Sequence, residues 1–117
     1  MISPTQNSIS KETSAKIILK PGLLKLTCNI QRADDLQFQM MCEQLCEQKL
    51  EEFLIDLTSC TYMNSLAIGA LVDTVSHLKT IGKQVTVKVS PEIGRFLHMA
   101  HLYHLFSYQV VETSAIK

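Results

Sequence analysis

The span from Phe53 to Val89 constrains this chain most. Phe53 to Leu57 is an apolar run of strand length. Cys60 to Asn64 reads as a loop, and from Ser65 apolar residues recur at helical spacing. Val85, Val87 and Val89 then alternate with Thr86 and Lys88 as a second strand. A strand, a helix and a strand in that order predict parallel strands joined by a right-handed crossover. Binding chemistry on such a sheet gathers at the carboxyl ends of its strands, and Asn64-Ser65 stands there, at the hinge between strand and helix.

The flanking sequence extends the unit. Residues 1–14 are polar, rich in Ser and Thr, and hold Pro4, so they are expected to form a flexible N-terminal tail, with one domain over residues 15–117. Ile17-Ile18-Leu19 and Leu24, Leu26, Cys28, Ile30 predict two strands around Lys20-Pro21-Gly22. Pro presets one turn dihedral there, Gly accepts the next, and so short a link makes the strands antiparallel. Between Ala33 and Lys49, Leu36, Met40, Met41, Leu45 and Cys46 suggest the apolar stripe of a first crossover helix. Ile68, Leu71, Val72, Val75 and Leu78 suggest that of the second, with Asp73, Thr74, His77 and Lys79 outward and its end at Gly82. Ser90 is positioned to cap a third helix, with Pro91 at its first position and Ile93, Phe96, Leu97 and Ala100 as its buried stripe. Tyr108, Val110 and Val111 suggest a last short strand. The expected fold is therefore an α/β single domain with a mixed sheet, an N-terminal antiparallel strand pair, parallel βαβ units, and helices packed on the sheet.

Ser65 carries the functional expectation. At a helix start several backbone N–H groups lack intrahelical partners and the dipole is positive, so a phosphate on a hydroxyl there is favoured. The plainer reading of Asn64-Ser65 is helix capping, which both residue types perform often.

Asp56-Leu57, Tyr62-Met63-Asn64-Ser65, Gly69, Leu71, Gly82-Lys83, the Val-rich strand, Ser90-Pro91-Glu92 and Phe96-Leu97 together resemble the STAS domain family. This is the sulphate-transporter and anti-sigma-factor-antagonist module, and the likeness runs from about Ala15 to Glu112. The family's loop typically reads hydrophobic-Asp-Ser-Ser/Thr-Gly-hydrophobic-Gly, with the first Ser as the phosphoacceptor of a partner switch. Ser65 and Gly69 match this pattern, whereas Asn64 stands for the acid, Leu66 for the second hydroxyl and Ala67 for the first Gly. The resemblance implies a non-enzymatic interaction module of the anti-sigma factor antagonist type, with Ser65 as phosphoacceptor and Tyr62, Met63, Asn64, Leu66 and Ala67 as the partner-binding loop. The implied partner is an anti-sigma factor or a serine kinase of the histidine-kinase-like ATPase type. The alternative is a constitutive docking subunit, because family members without a regular acceptor loop act as structural or regulatory subunits, one of them bracing the ATPase of a lipid-transport importer.

Bulk properties agree with a protein-binding module. Eleven basic residues balance eleven acidic ones, so no long-range field recruits nucleic acid or an anionic membrane. The longest apolar run, Leu66 to Val72, is too short to span a bilayer, and the first residues carry no apolar leader segment, so a cytoplasmic location is expected. The four cysteines do not have the spacing of a disulfide scaffold and are read as reduced, with Cys60 the most exposed.

Three other chemistries are outweighed. His98 and His101 could present imidazoles from one face of a continuous helix, and Cys42 and Cys46 could likewise pair, but no carboxylate or further Cys accompanies the histidines and buried cysteines on a core stripe are common. No metal or cofactor is expected. A hydrolase nucleophile at Ser65 would need the flanking glycines of G-x-S-x-G, which are missing, and the scattered Gly22, Gly69, Gly82 and Gly94 form no phosphate-binding loop. The methionines are read as core gap-fillers, with Met63 as the exception beside the hinge.

Overall fold

Two apolar strands joined by Pro21-Gly22 start the sheet, and each later strand is added on the same side of the one before it. In this computed structural model, which describes residues 16–102, 104 and 107–112, β1 is Ile17–Lys20, β2 Leu23–Leu26, β3 Glu52–Leu57, β4 Gln84–Val89 and β5 Gln109–Val110. They form a five-stranded sheet in sequential order. β1 and β2 are antiparallel, and every later pair is parallel. The helices between them are α1 (Asp35–Glu47), preceded by a 3-10 turn at Arg32–Asp34, α2 (Ser65–Thr80) and α3 (Pro91–Met99). Because every crossover moves the same way along the sheet, right-handed connections put all three helices on one face. The result is the expected mixed α/β architecture, in two layers.

Burial records that one-sidedness. Phe53, Ile55 and Leu57 are buried, while Glu52 is exposed and Leu54 and Asp56 are half-buried. β3 is therefore covered by helices on one face only, and Leu54 points away from the helical layer. Gly22 takes φ +73°, and a Cβ there would stand 3.1 Å from the Glu52 carbonyl oxygen. Its own carbonyl accepts Leu54 N–H at 2.8 Å, and its N–H donates to Gln48 Oε1 at 2.7 Å, so this turn ties β1–β2 to the amino end of β3.

α1 departs from the expected stripe. Phe38, Cys42 and Leu45 are buried, Met41 and Cys46 are half-buried, and Leu36 and Met40 are exposed. Leu36 and Met40 each precede a buried residue by two positions, about 200° around a helix of 3.6 residues per turn, so they face solvent. α2 buries Ala67, Ile68, Leu71, Val75 and Leu78, together with Thr74, which had been expected outward. Thr74 lies in the seam with α1, where its hydroxyl is satisfied by donating to the Ala70 carbonyl at 2.7 Å.

Helix α3 is capped as its sequence requires, by Ser90 with Pro91 in the first turn. It ends at Met99, and His101 beyond it has φ +60°, so the continuous helix that would align His98 with His101 does not form. Among the described residues no group of three or more His, Cys, Asp or Glu is placed to hold a metal ion, and no helix is long and apolar enough to cross a membrane. The predicted tail, residues 1–14, lies outside the described residues.

Candidate partner-binding site

Three connections meet at the carboxyl rim of the sheet: residues 27–31 after β2, residues 58–64 after β3, and Ser90 after β4. The second is held at both ends. Asp56 Oδ1 accepts from Thr58 N–H at 3.0 Å and from the Thr58 hydroxyl at 2.7 Å, turning the chain as β3 stops. Asn29 Oδ1 then accepts from Thr61 N–H at 2.7 Å, the Thr61 hydroxyl at 3.2 Å and Tyr62 N–H at 3.1 Å, fastening this loop to the neighbouring one.

Cys60 lies beneath that clamp. It is fully buried, contrary to the expectation that it would be the most exposed cysteine, and Cys28 and Cys46 are the half-buried ones. Its carbonyl accepts from the buried Ser90 hydroxyl at 2.6 Å, and the same hydroxyl accepts Ile93 N–H at 3.1 Å to cap α3. Ser90 thus fixes the Ser65 loop and starts the next helix with one oxygen. Burial pushes the Cys60 thiol upward in pKa, and pushes Cys42 to about 11.

Asn64 is the N-cap of α2, with extended backbone and a side-chain Oδ1 that accepts Ala67 N–H at 2.8 Å. Its amide nitrogen donates to both carboxylate oxygens of Asp35, at 2.9 and 3.2 Å. Asp35 is the first residue of α1, so one amide side chain joins the amino ends of two neighbouring helices. Sequence reading missed Asp35 in this role because a whole helix and strand, α1 and β3, separate it from Asn64. An acid in the first turn of a helix is favoured by the dipole in any case, so nothing local in the sequence points to its second contact.

Ser65 is exposed at the first position of α2. Among the described residues its hydroxyl has no hydrogen-bond partner, and the first turn of α2 holds no acidic side chain. Among the described residues no base is hydrogen-bonded to the hydroxyl, and free N–H groups of the helix start lie beside it. The other loop residues divide sharply. Tyr62 and Leu66 are each 59% exposed, Asn64 is half-buried, and Met63 and Ala67 are in the core at 2% and 1%. Met63 and Ala67 can shape the surface from beneath but offer a partner no contact area in this conformation, which corrects their reading as contact residues.

A concavity of about 710 Å³ lies at the other end of the strands, lined by Pro21, Gly22, Leu50, Glu51 and Gln84 among others. Around Ser65, by contrast, Tyr62, Ser65 and Leu66 form an exposed, outward-facing patch.

The description of the STAS domain fits residues 10–115 of the chain, nearly its full length. No curated protein matches the sequence. Among solved structures, the fold is similar to that of a proposed anti-sigma factor antagonist from Thermotoga maritima, with a TM-score of 0.65 and 11% identity over 85% of this chain and 87% of that one. At that identity the likeness concerns the fold.

Proposed function

The chain belongs to the STAS domain family, and on that premise we propose that it is a non-enzymatic interaction module working as an anti-sigma factor antagonist-type partner switch, with Ser65 as its phosphoacceptor. One observation carries this reading: Ser65 is exposed and, among the described residues, without a hydrogen-bond partner, on a strand-to-helix junction that Asn29, Asn64 and Ser90 hold in place. A phosphate would add about −1.5 to −2 charge at a helix start, with little need to reshape the fold. A partner seated on Tyr62 and Leu66 would then meet a dianion where it had met a small hydroxyl, and affinity would fall through repulsion and desolvation.

The partner class proposed is an anti-sigma factor or serine kinase of the histidine-kinase-like ATPase type. Mass spectrometry after incubation with such a kinase should find phosphate on Ser65 and none in Ser65→Ala. Ser65→Asp should weaken partner binding at least tenfold. Unchanged affinity in Ser65→Asp would remove the switch even if the kinase labels the residue.

A second reading has its own support. Leu66 is large, apolar and mostly exposed where the motif has a small hydroxyl, and Tyr62 is equally exposed beside it. Such a pair suits a permanent contact, as in a structural or regulatory subunit of a transport ATPase complex. Leu66→Ser would then abolish binding while Ser65→Asp would not.

A further inference from the structure

We propose that the groove between α1 and α2 docks a basic amphipathic helix of the partner protein, apolar at the end that meets the Ser65 rim and rich in Lys or Arg at the other. The groove continues the surface assigned above to the partner, and its occupant is named on that reading. The two helices run side by side in the same direction. Asn64 joins their amino ends through Asp35. Further along, Glu43, Cys46 and Glu47 of α1 share one concavity of about 380 Å³ with Asp73, Thr74 and His77 of α2.

Helical spacing carries that groove back to the rim. At about 100° per residue, Leu36, Met40, Glu43 and Glu47 fall within about 60° of one another around α1, and Leu66, Ala70, Asp73 and His77 do the same around α2. Glu43 and Glu47 line one wall of the concavity and Asp73 and His77 the other, so Leu36, Met40, Leu66 and Ala70 flank its amino-terminal continuation. Leu36, Met40 and Leu66 are 68%, 48% and 59% exposed. Over about 16 Å, roughly three turns, both stripes thus change from apolar beside Ser65 to polar and mostly acidic away from it.

Charge in the far half selects the occupant. Glu43, Glu47 and Asp73 are exposed, none of them is in an ion pair among the described residues, and no Lys or Arg lines the concavity with them. A helix laid along the seam presents side chains three and four residues apart to both stripes at once. Large apolar groups at one of its ends bury against Leu36, Met40 and Leu66, while cations at the other end meet carboxylates that otherwise stand in water. Residues 1–15 of this chain do not supply that charge, since Lys11 is offset by Glu12.

The full chain, isotope-labelled for NMR, is titrated with a synthetic helical peptide of about four turns that carries Leu in one half and Lys in the other at that spacing, and with a second peptide in which Glu replaces each Lys. The Lys peptide should bind and shift amide signals along both stripes, and the Glu peptide should bind at least about tenfold more weakly. Glu43→Lys combined with Glu47→Lys should remove that preference. Leu36→Ser combined with Met40→Ser should weaken the Lys peptide about tenfold, and because all four positions are exposed, circular dichroism should show the fold unchanged. Ser65→Ala should leave peptide affinity as it is, so failure of the groove is distinguishable from failure of Ser65 as phosphoacceptor. Equal binding of the two peptides, binding of neither, or shifts on the helix-free face of the sheet would overturn the proposal. So would a dimer of the chain that Leu36→Ser and Met40→Ser dissolve, which would assign the groove to a second copy.

Discussion

Asn64 and Asp35 hold each other across two helix starts, the amide donating to both carboxylate oxygens while its own oxygen caps Ala67 N–H. The position that is acidic in the family's motif is neutral here, and a carboxylate reaches it from α1 instead. An acid at 64 would face Asp35 at hydrogen-bond distance with no proton between them. The amide is thus the side chain that both caps α2 and binds Asp35.

Asn64→Asp should therefore destabilise the fold by about 1–3 kcal/mol at neutral pH, through two lost hydrogen bonds and like-charge repulsion. The paired carboxyls of the variant would retain a proton at higher pH in the folded state than in the unfolded one. Stability should accordingly approach wild type in acid and be lost as pH rises through the folded-state titration. Urea denaturation of both proteins at pH 4 and pH 7 measures the difference. An equal deficit at both values would mean that repulsion is not the cause.

Asp34 behaves oppositely. A hydrogen bond from Lys16 Nζ at 2.9 Å, aided by Gln31 N–H, holds its carboxyl below the usual range. Its folded-state pKa is depressed, so its contribution is present above the unfolded-state value near 3.9 and fades as pH falls through the lower folded one. Lys16 is substantially exposed, and the pair should contribute no more than about 1 kcal/mol. Asp34→Asn should flatten the acid limb of the stability curve, read by denaturant titration between pH 2 and 5.

Two helical glycines should respond with opposite signs. A Cβ at Gly69 meets nothing within 4 Å, so Gly69→Ala should stabilise by about 0.5–1 kcal/mol through helix propensity alone. A Cβ at Gly94 would stand 2.8 Å from Val110 Cγ2 and 3.5 Å from Val89 Cγ2. Gly94→Ala should cost about 1–3 kcal/mol by pushing β5 away from β4. Hydrogen exchange should show the loss first at Val111 N–H, which donates to the Val89 carbonyl at 2.8 Å.

Ser90→Ala should remove the α3 cap and leave the Cys60 carbonyl without its 2.6 Å partner. Caps contribute about 1 kcal/mol and an orphaned buried acceptor costs about 1–3 kcal/mol, so a loss of roughly 2–4 kcal/mol is expected. A loss under 1 kcal/mol would mean that water replaces the hydroxyl.

Much of the site was legible because local chemistry specified it. The apolar run of β3, the polar hinge and the helical spacing after it are encoded within one βαβ passage, so Ser65 could be placed at a helix start. Tyr62, Met63, Leu66 and Ala67 could not be sorted from one another the same way. Which of them turns inward depends on how the loop lies across neighbouring strands, and Asn29 and Ser90 decide that from distant parts of the chain. Phe38 displaced Leu36 and Met40 from the expected stripe for a related reason. Several helical faces of α1 carry apolar residues, and only the position of α2 and the sheet selects one.

What the sequence determined by itself is the order of strands and helices, the caps of α2 and α3 and the antiparallel start, since propensity, turn chemistry and periodicity act over a few residues. Tertiary structure alone decided the clamp of Asn64 by Asp35, the burial of Cys60 and Met63, and the exposure of Leu66. Hydrogen bonds and packing between segments far apart in sequence settle those, because each requires partners that only the completed sheet brings within reach.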